Sequence, residues 1–503
     1  MKNVKKCCIA LGCLLFMLLS CRKSESAKQS ASNSKEINEK RLGATPPPTA
    51  YSGQVSSAIQ SGRVIDIGDS SADDGALVEQ MDWMSLSSQK WTAYRVTGNW
   101  YKIINLGSGK ALTSPEDNAG TQLIQSTYTG VDAQLWKITS ANPGQLYSVT
   151  NKNGLVVSLN NPEAGNGAII TQEVTSGDAS QQWFIQRLFN NPVMGSGADP
   201  WVVQRNGWYY YTKTTGGDVQ IWKTKRMSKL KSTWSRVAWT PPKGQMYSNN
   251  LWAPEMHYLD GKWYIYVAAD NGNDGNHRMY VIENPSDDPT MGTWTLKGKI
   301  TDPSDIWAID GTVFEHEGKR YFIWSGWRFQ NGSQSGIQQL YIAEMSNPWT
   351  ITGERHMISE PTYDWEKVGL VNEGPEILKN AAGDVFLIYS ASGCWTDEYK
   401  LGMMKLTGTD PLQQDSWTKN STPVFQKNIA NSVFAPGHNG FFKSPDGKED
   451  WIIYHANAAA GQGCGGSRST RMQPFRWNED GTPNFGTPKP ITEAQPAPSG
   501  EGL

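Results

Sequence analysis

Three carboxylates stand in Gly- or Pro-bounded segments: Asp199 in Gly-Ala-Asp-Pro-Trp, Asp310 in Trp-Ala-Ile-Asp-Gly and Glu373 in Val-Asn-Glu-Gly-Pro. Two related segments carry Glu255 (Trp-Ala-Pro-Glu) and His438 (Ala-Pro-Gly-His-Asn). A single acid in such a turn usually caps local backbone. Several in register imply a shared cavity and shared chemistry. A pair of carboxylates is the minimum equipment for glycoside hydrolysis: one protonates the leaving oxygen, the other activates water or attacks. Glu373 is expected to be the acid, because its longer arm reaches the glycosidic oxygen. Asp199 is expected to be the base. Asp310 is expected to orient Glu373 and to raise its pKa by like-charge repulsion. Glu376 is the rival acid, but strand alternation places it on the face opposite Glu373.

The register comes from five hydrophobic runs: Gly207–Tyr211, Gly261–Tyr266, Gly318–Trp324, Gly383–Tyr389 and Glu449–Tyr454. Their closing aromatics lie 55, 58, 65 and 65 residues apart. About 60 residues accommodates a four-stranded blade with its loops. The chain from 190 to 490 therefore reads as a five-bladed β-propeller. The polar segments lie just upstream of the runs: Asp199 twelve residues before Tyr211, Asp310 fourteen before Trp324, Glu373 and His438 sixteen before Tyr389 and Tyr454. The innermost strands of a propeller line its channel, so these places converge.

A second repeat precedes it. The triplets Gln89-Lys90-Trp91, Gln134-Leu135-Trp136 and Gln181-Gln182-Trp183 recur at intervals of 45 and 47 residues. Three units that cannot bury a face alone would close about a pseudo-threefold axis. Residues 50–188 resemble the ricin-B-type β-trefoil, the family 13 carbohydrate-binding module. That resemblance implies sugar pockets built from an early Asp and a later aromatic. Only the first repeat keeps both, as Asp66 and Trp83. The second has Thr113 and Tyr128, the third Ser158 and Thr175. The triplet tryptophans are expected in the core. Fold class is thus all-β, a trefoil followed by a propeller.

Lys2, Lys5 and Lys6 precede the apolar run Ile9–Leu19, too short for a membrane span. Leu18-Leu19-Ser20-Cys21 resembles a bacterial lipobox, which implies a signal peptide at 1–20 and lipidation of Cys21. Residues 21–49 read as a flexible tether, and 491–503 as a C-terminal tail. The expected site is an outer-membrane lipoprotein facing the periplasm or the exterior. Two further cysteines, Cys394 and Cys464, are expected to pair in that oxidising setting.

Composition agrees with a carbohydrate partner. The chain of 503 residues holds 22 Trp, 19 Tyr and 13 Phe, flat surfaces suited to sugar rings. Its net charge of −2 argues against nucleic acid. A monomer is expected.

The ordered segments from Asp199 to His438 carry a strong resemblance to glycoside hydrolase family 43, five-bladed propeller enzymes that act with inversion. It implies the roles given above for Asp199, Asp310 and Glu373. Trp252–Glu255, Tyr389–Ser392 and Arg468–Gly486 look like the exo-acting α-L-arabinofuranosidases within it. Trp252 would then wall the pocket, Glu255 and His438 would line the sugar site, and Arg471 would bind near the sugar. Action on β-D-xylosides or β-D-galactofuranosides, endo action, and a non-catalytic glycan-binding lipoprotein are the alternatives. No cofactor is required. Some members hold calcium or sodium at the propeller centre through the His matching His438, the one metal the resemblance implies. Gly393-Cys394-Trp395 and Gly463-Cys464-Gly465 depart from the relatives. If paired, they would tie two loops at the mouth and reshape subsites for the leaving sugar.

Overall fold

Each Gln-x-Trp triplet follows one rule. Trp91, Trp136 and Trp183 are buried and donate from Nε1 to the carbonyls of Ile65 (3.0 Å), Leu112 (2.9 Å) and Val157 (3.0 Å). The preceding glutamines donate to Asp82, Thr127 and Val174 carbonyls, which fixes the turn before each indole. One bond pattern repeated three times builds the pseudo-threefold core, filled by Ile67, Val78, Leu123 and Ile170 among others. The computed structural model describes residues 50–57, 63–142, 146–161, 164–330 and 333–501. The proposed signal peptide, Cys21 and the tether lie outside the described residues.

Five antiparallel four-stranded sheets follow. Their innermost strands, or the loops entering them, carry the polar segments: Trp201–Arg205 in blade 1, Asn249–Leu259 in blade 2, Ala308–His316 in blade 3, Asn372–Lys379 in blade 4 and Phe434–Lys443 in blade 5. The hydrophobic runs form the second strands, at Trp208–Thr212, Lys262–Asp270, Lys319–Gln330, Val385–Ala391 and Asp450–Asn457. Strand alternation explains why they are apolar on both faces. Tyr210 packs with Trp263, Ile265 and Val267 between blades 1 and 2. Tyr264 and Tyr266 turn the other way, onto Phe322 and Trp324 of blade 3. Ile323 meets Leu387 and Tyr389, and Phe386 and Ile388 meet Ile452 and Tyr454. Trp451 and Ile453 pack on Tyr209 and Tyr211, which closes the ring from blade 5 to blade 1.

The C-terminal segment is not a loose tail. Ala494–Pro496 pairs with the last trefoil strand, Trp183–Asn190. Glu501 is buried and accepts from the backbone N–H (3.2 Å) and hydroxyl of Ser228. Ser85 of the trefoil donates to Glu493 (3.2 Å), and Gln186 donates to Glu449 of blade 5 (3.3 Å).

Candidate active site

The inner strands share a local device. Asp199, Ala253, Asp310, Gly374 and His438 all have left-handed φ, at 54°, 43°, 54°, 53° and 45°. In blades 2 to 5 this residue begins a register shift against the second strand. In blade 4, Glu373 lies opposite Ser390 and Glu376 opposite Ile388, so three steps on one strand match two on the other. Such bulges re-aim side chains. They correct two expectations. The five polar residues are not strictly equivalent: Asp199, Asp310 and His438 occupy the left-handed position, whereas Glu373 lies one residue before it and Glu255 two after. Glu376 is not turned away either. Its buried carboxyl is raised by burial, by the charge of Glu255 and a hydrogen bond with it, and by Asp310.

Asp199 is 7% exposed. Its Oδ1 accepts from Arg468 Nη1 (3.0 Å) and its Oδ2 from the Thr214 hydroxyl (2.6 Å). Thr214 in turn accepts from Ala253 N (2.8 Å), so blade 2 holds it in place. The Asp199 N–H donates to His455 Nδ1 (3.1 Å), which makes that nitrogen an acceptor and His455 neutral. Burial opposes ionisation of Asp199; the Arg468 guanidinium is the largest of the opposing influences, which together with His438 and His455 hold the carboxyl well below the usual range. Burial lowers both His438 and His455, the latter to about 4, so the positive charge facing Asp199 is that of Arg468.

Glu373, 7% exposed, accepts from the Tyr399 hydroxyl at 2.8 Å. Its carboxyl is pushed up to about 7, first by burial and then by the charge of Asp199. Burial, rather than repulsion from Asp310, is therefore the main cause. Asp310 is raised well above its ordinary value by burial and by the surrounding acids Glu373, Asp199 and Glu255. Its Oδ2 accepts from the Gly374 N–H (3.1 Å), so blade 3 grips the bulge that aims Glu373. Gly374 suits its place: it has left-handed φ, and a Cβ there would lie 3.3 Å from the His438 ring.

His438 Nδ1 lies between the two aspartates, 3.4 Å from Asp199 Oδ1 and 3.9 Å from Asp310 Oδ2. Glu255 Oε2 pairs with His257 Nε2 at 3.2 Å. Among the described residues, no three His, Cys, Asp or Glu side chains come together as a metal-ligand set. Trp252, half-buried, stacks on His277 with centroids 4.0 Å apart. Arg471 does not reach the carboxylates. It is fully buried beside Ser469, with Nη1 and Nη2 unbonded; Arg468 is the arginine that meets Asp199. Sequence reading also missed Thr214, Tyr399 and His455. Nothing local to those three flags them, whereas Arg468 belongs to the same Arg-x-x-Arg segment as Arg471.

Cys394 and Cys464 form a disulfide, with Cα atoms 5.2 Å apart. In the trefoil, Asp66 is 4% exposed and accepts from Ile67 N (2.7 Å) and Gln89 Nε2 (3.0 Å). Lys90 Nζ lies 5.8 Å from the ring of Trp83.

An ionised Asp199 and a protonated Glu373 thus coexist near neutral pH in one channel. The model of glycosyl hydrolases family 43 matches residues 189–483. The chain belongs to that family. A ricin-type β-trefoil lectin model matches residues 51–126 and 87–171 of the same family 43 chain. Over 311 residues this family 43 chain is 39% identical to an extracellular exo-α-(1→5)-L-arabinofuranosidase of Streptomyces avermitilis, a match covering 60% of this chain and 63% of that protein. An enzyme of the same name from Streptomyces chartreusis is 37% identical over 276 residues, 53% of this chain and 82% of that one. α-L-Arabinofuranosidase 43 of Humicola insolens is 37% identical over 313 residues, 60% and 63%. The chain thus spans just under two thirds of the length of the Streptomyces avermitilis and Humicola proteins. The crystal structure of an α-L-arabinofuranosidase from Lactobacillus brevis superposes with a TM-score of 0.57 at 39% identity, covering 60% of this chain and 98% of that one.

Proposed function

We propose that the chain is an inverting, exo-acting α-L-arabinofuranosidase that removes terminal L-arabinofuranose from plant-type polysaccharides or their oligosaccharides. The observation that carries this reading is the opposed ionisation of two carboxyls from different blades. Glu373 donates its proton to the departing glycosidic oxygen. Asp199 accepts a proton from the water that attacks the anomeric carbon from the other side. Asp310 positions Glu373 through the Gly374 amide. Inversion requires room for that water, so the Asp199 and Glu373 carboxyls belong at roughly 6.5–9.5 Å. Trp252 walls the sugar site. The names of the arabinofuranosidase relatives support the choice of sugar. The lectin-like trefoil is proposed to hold glycan at Asp66 and Trp83. Export, and anchoring to the outer membrane through a lipidated Cys21, complete the proposal. The "extracellular" in two relatives' names supports export.

A panel of aryl glycosides tests the sugar assignment. Release from the α-L-arabinofuranoside, well above that from the β-D-xyloside and β-D-galactofuranoside, is expected. Preference for either of the other two would move the assignment to that sugar.

Arg468 carries a second expectation. With Arg468→Met, burial of Asp199 loses its largest opposing influence and the carboxyl rises. The base then loses its charge at a higher pH on descent. The acid limb of kcat/KM should move up by about 1–3 pH units, the range an adjacent opposite charge commonly accounts for. An unmoved limb would separate Arg468 from the ionisation of Asp199.

A further inference from the structure

The two loops tied by the disulfide lead to the residues that bond the two reacting carboxylates. Residues 392–398 link Ser390, which lies opposite Glu373, to Tyr399, which bonds Glu373. The loop carrying Cys464 ends at Arg468, which bonds Asp199. The Gly461 N–H donates to Asp397 (2.9 Å), a second tie between these loops. Beside Cys394, Trp395 is 57% exposed, in a protein whose aromatic residues are mostly buried. Its indole rests on backbone. A Cβ on Gly393 would come within 2.4 Å of the ring, and one on Gly369 within 2.8 Å. Gly369 lies four residues before Glu373 on the segment leading into the inner strand of blade 4. The Gly393 N–H donates to Val368 O (2.6 Å), which joins that segment to the loop. A flat, rigidly backed and solvent-facing indole is therefore fixed at both approaches to the acid.

We propose that Trp395 is the platform for the sugar residue on the leaving-group side of the scissile bond, with the Cys394–Cys464 bridge holding it in place. The proposal deepens the arabinofuranosidase reading and rests on it for the identity of the sugar. Indole presents a π-face to the C–H face of a pentose ring. The glycines beneath leave no room for the ring to tilt away. Glu373 protonates the oxygen of that leaving sugar, and Trp395 stands on the segments that lead to Glu373 and to its partner Tyr399.

The test compares kcat/KM for α-1,5-linked arabinotriose and for methyl α-L-arabinofuranoside, whose leaving group is too small to stack. Trp395→Ala should lower the value for the trisaccharide about tenfold and leave the methyl glycoside within about twofold, while Trp395→Phe keeps most of the trisaccharide activity. Equal loss on both substrates, or no loss on either, overturns the proposal. Wild-type protein that cleaves neither substrate defeats the arabinofuranosidase reading instead. The affinity of the Glu373→Gln protein for arabinotriose and xylotriose, with and without Trp395→Ala, then decides. A tenfold loss upholds the platform, and unchanged or absent binding overturns it.

Discussion

Glu373→Gln should lower kcat on arabino-oligosaccharides by about 10²–10⁴, the usual contribution of a general acid, with substrate binding retained. The amide keeps the size of the carboxyl and a partner for the Tyr399 hydroxyl, so the pocket survives. What disappears is the proton. Aryl glycosides whose phenolate departs unaided should suffer much less than sugars, whose alkoxide cannot leave without it. The pH profile gives a second signature. Burial places the Glu373 carboxyl at about 7, so wild-type activity should fall as pH rises through that value and the acid loses its proton. That alkaline limb should vanish in the variant. Retention of both the limb and the activity would transfer the acid role elsewhere, with Glu376 the first candidate, since its carboxyl interacts with Glu255 and Asp310.

Asp199→Asn should cost a comparable factor, about 10²–10⁴, with the opposite dependence on substrate. An amide cannot take a proton from water, and a better leaving group does not mend a missing base. Aryl and oligosaccharide substrates should therefore fall together. The two variants form a matched pair, one sensitive to the leaving group and one indifferent to it. If Asp199→Asn lost activity only on poor leaving groups, the assignments of acid and base would be exchanged.

The propeller was legible because its second strands are buried on both faces and so read as unbroken hydrophobic runs. Tyr209–Tyr211 and Trp263–Val267 supply both neighbouring blade interfaces. The trefoil was legible because each Gln-x-Trp does the same two jobs, buttressing a turn and filling the core. The acids were found for a similar reason: they recur upstream of those runs. Strand alternation failed where the inner strands bulge, since one left-handed residue resets the count. This is why the Glu376 carboxyl interacts with Glu255 and Asp310, although it is an odd number of residues from Glu373. The second arginine of Arg-x-x-Arg was chosen, yet the first meets Asp199. Arg471 lies within the strand Ser469–Trp477 and is buried there, while Arg468 precedes it at the end of the disulfide-tied loop. Contacts such as Thr214 to Asp199 and Tyr399 to Glu373 bring loop residues to acids 15 and 26 positions away. No periodicity announces those. The C-terminal strand Ala494–Pro496 was missed because three residues between prolines and glycines carry no alternating pattern.

The most direct test of the account is the anomeric configuration of the first sugar released. Proton NMR would follow an aryl α-L-arabinofuranoside during the opening minutes of hydrolysis, before mutarotation. An ionised Asp199 and a protonated Glu373 acting on opposite sides of the ring predict β-L-arabinofuranose as the initial product. Initial α-L-arabinofuranose would mean a covalent intermediate and two displacements, which would contradict the roles given to both carboxylates.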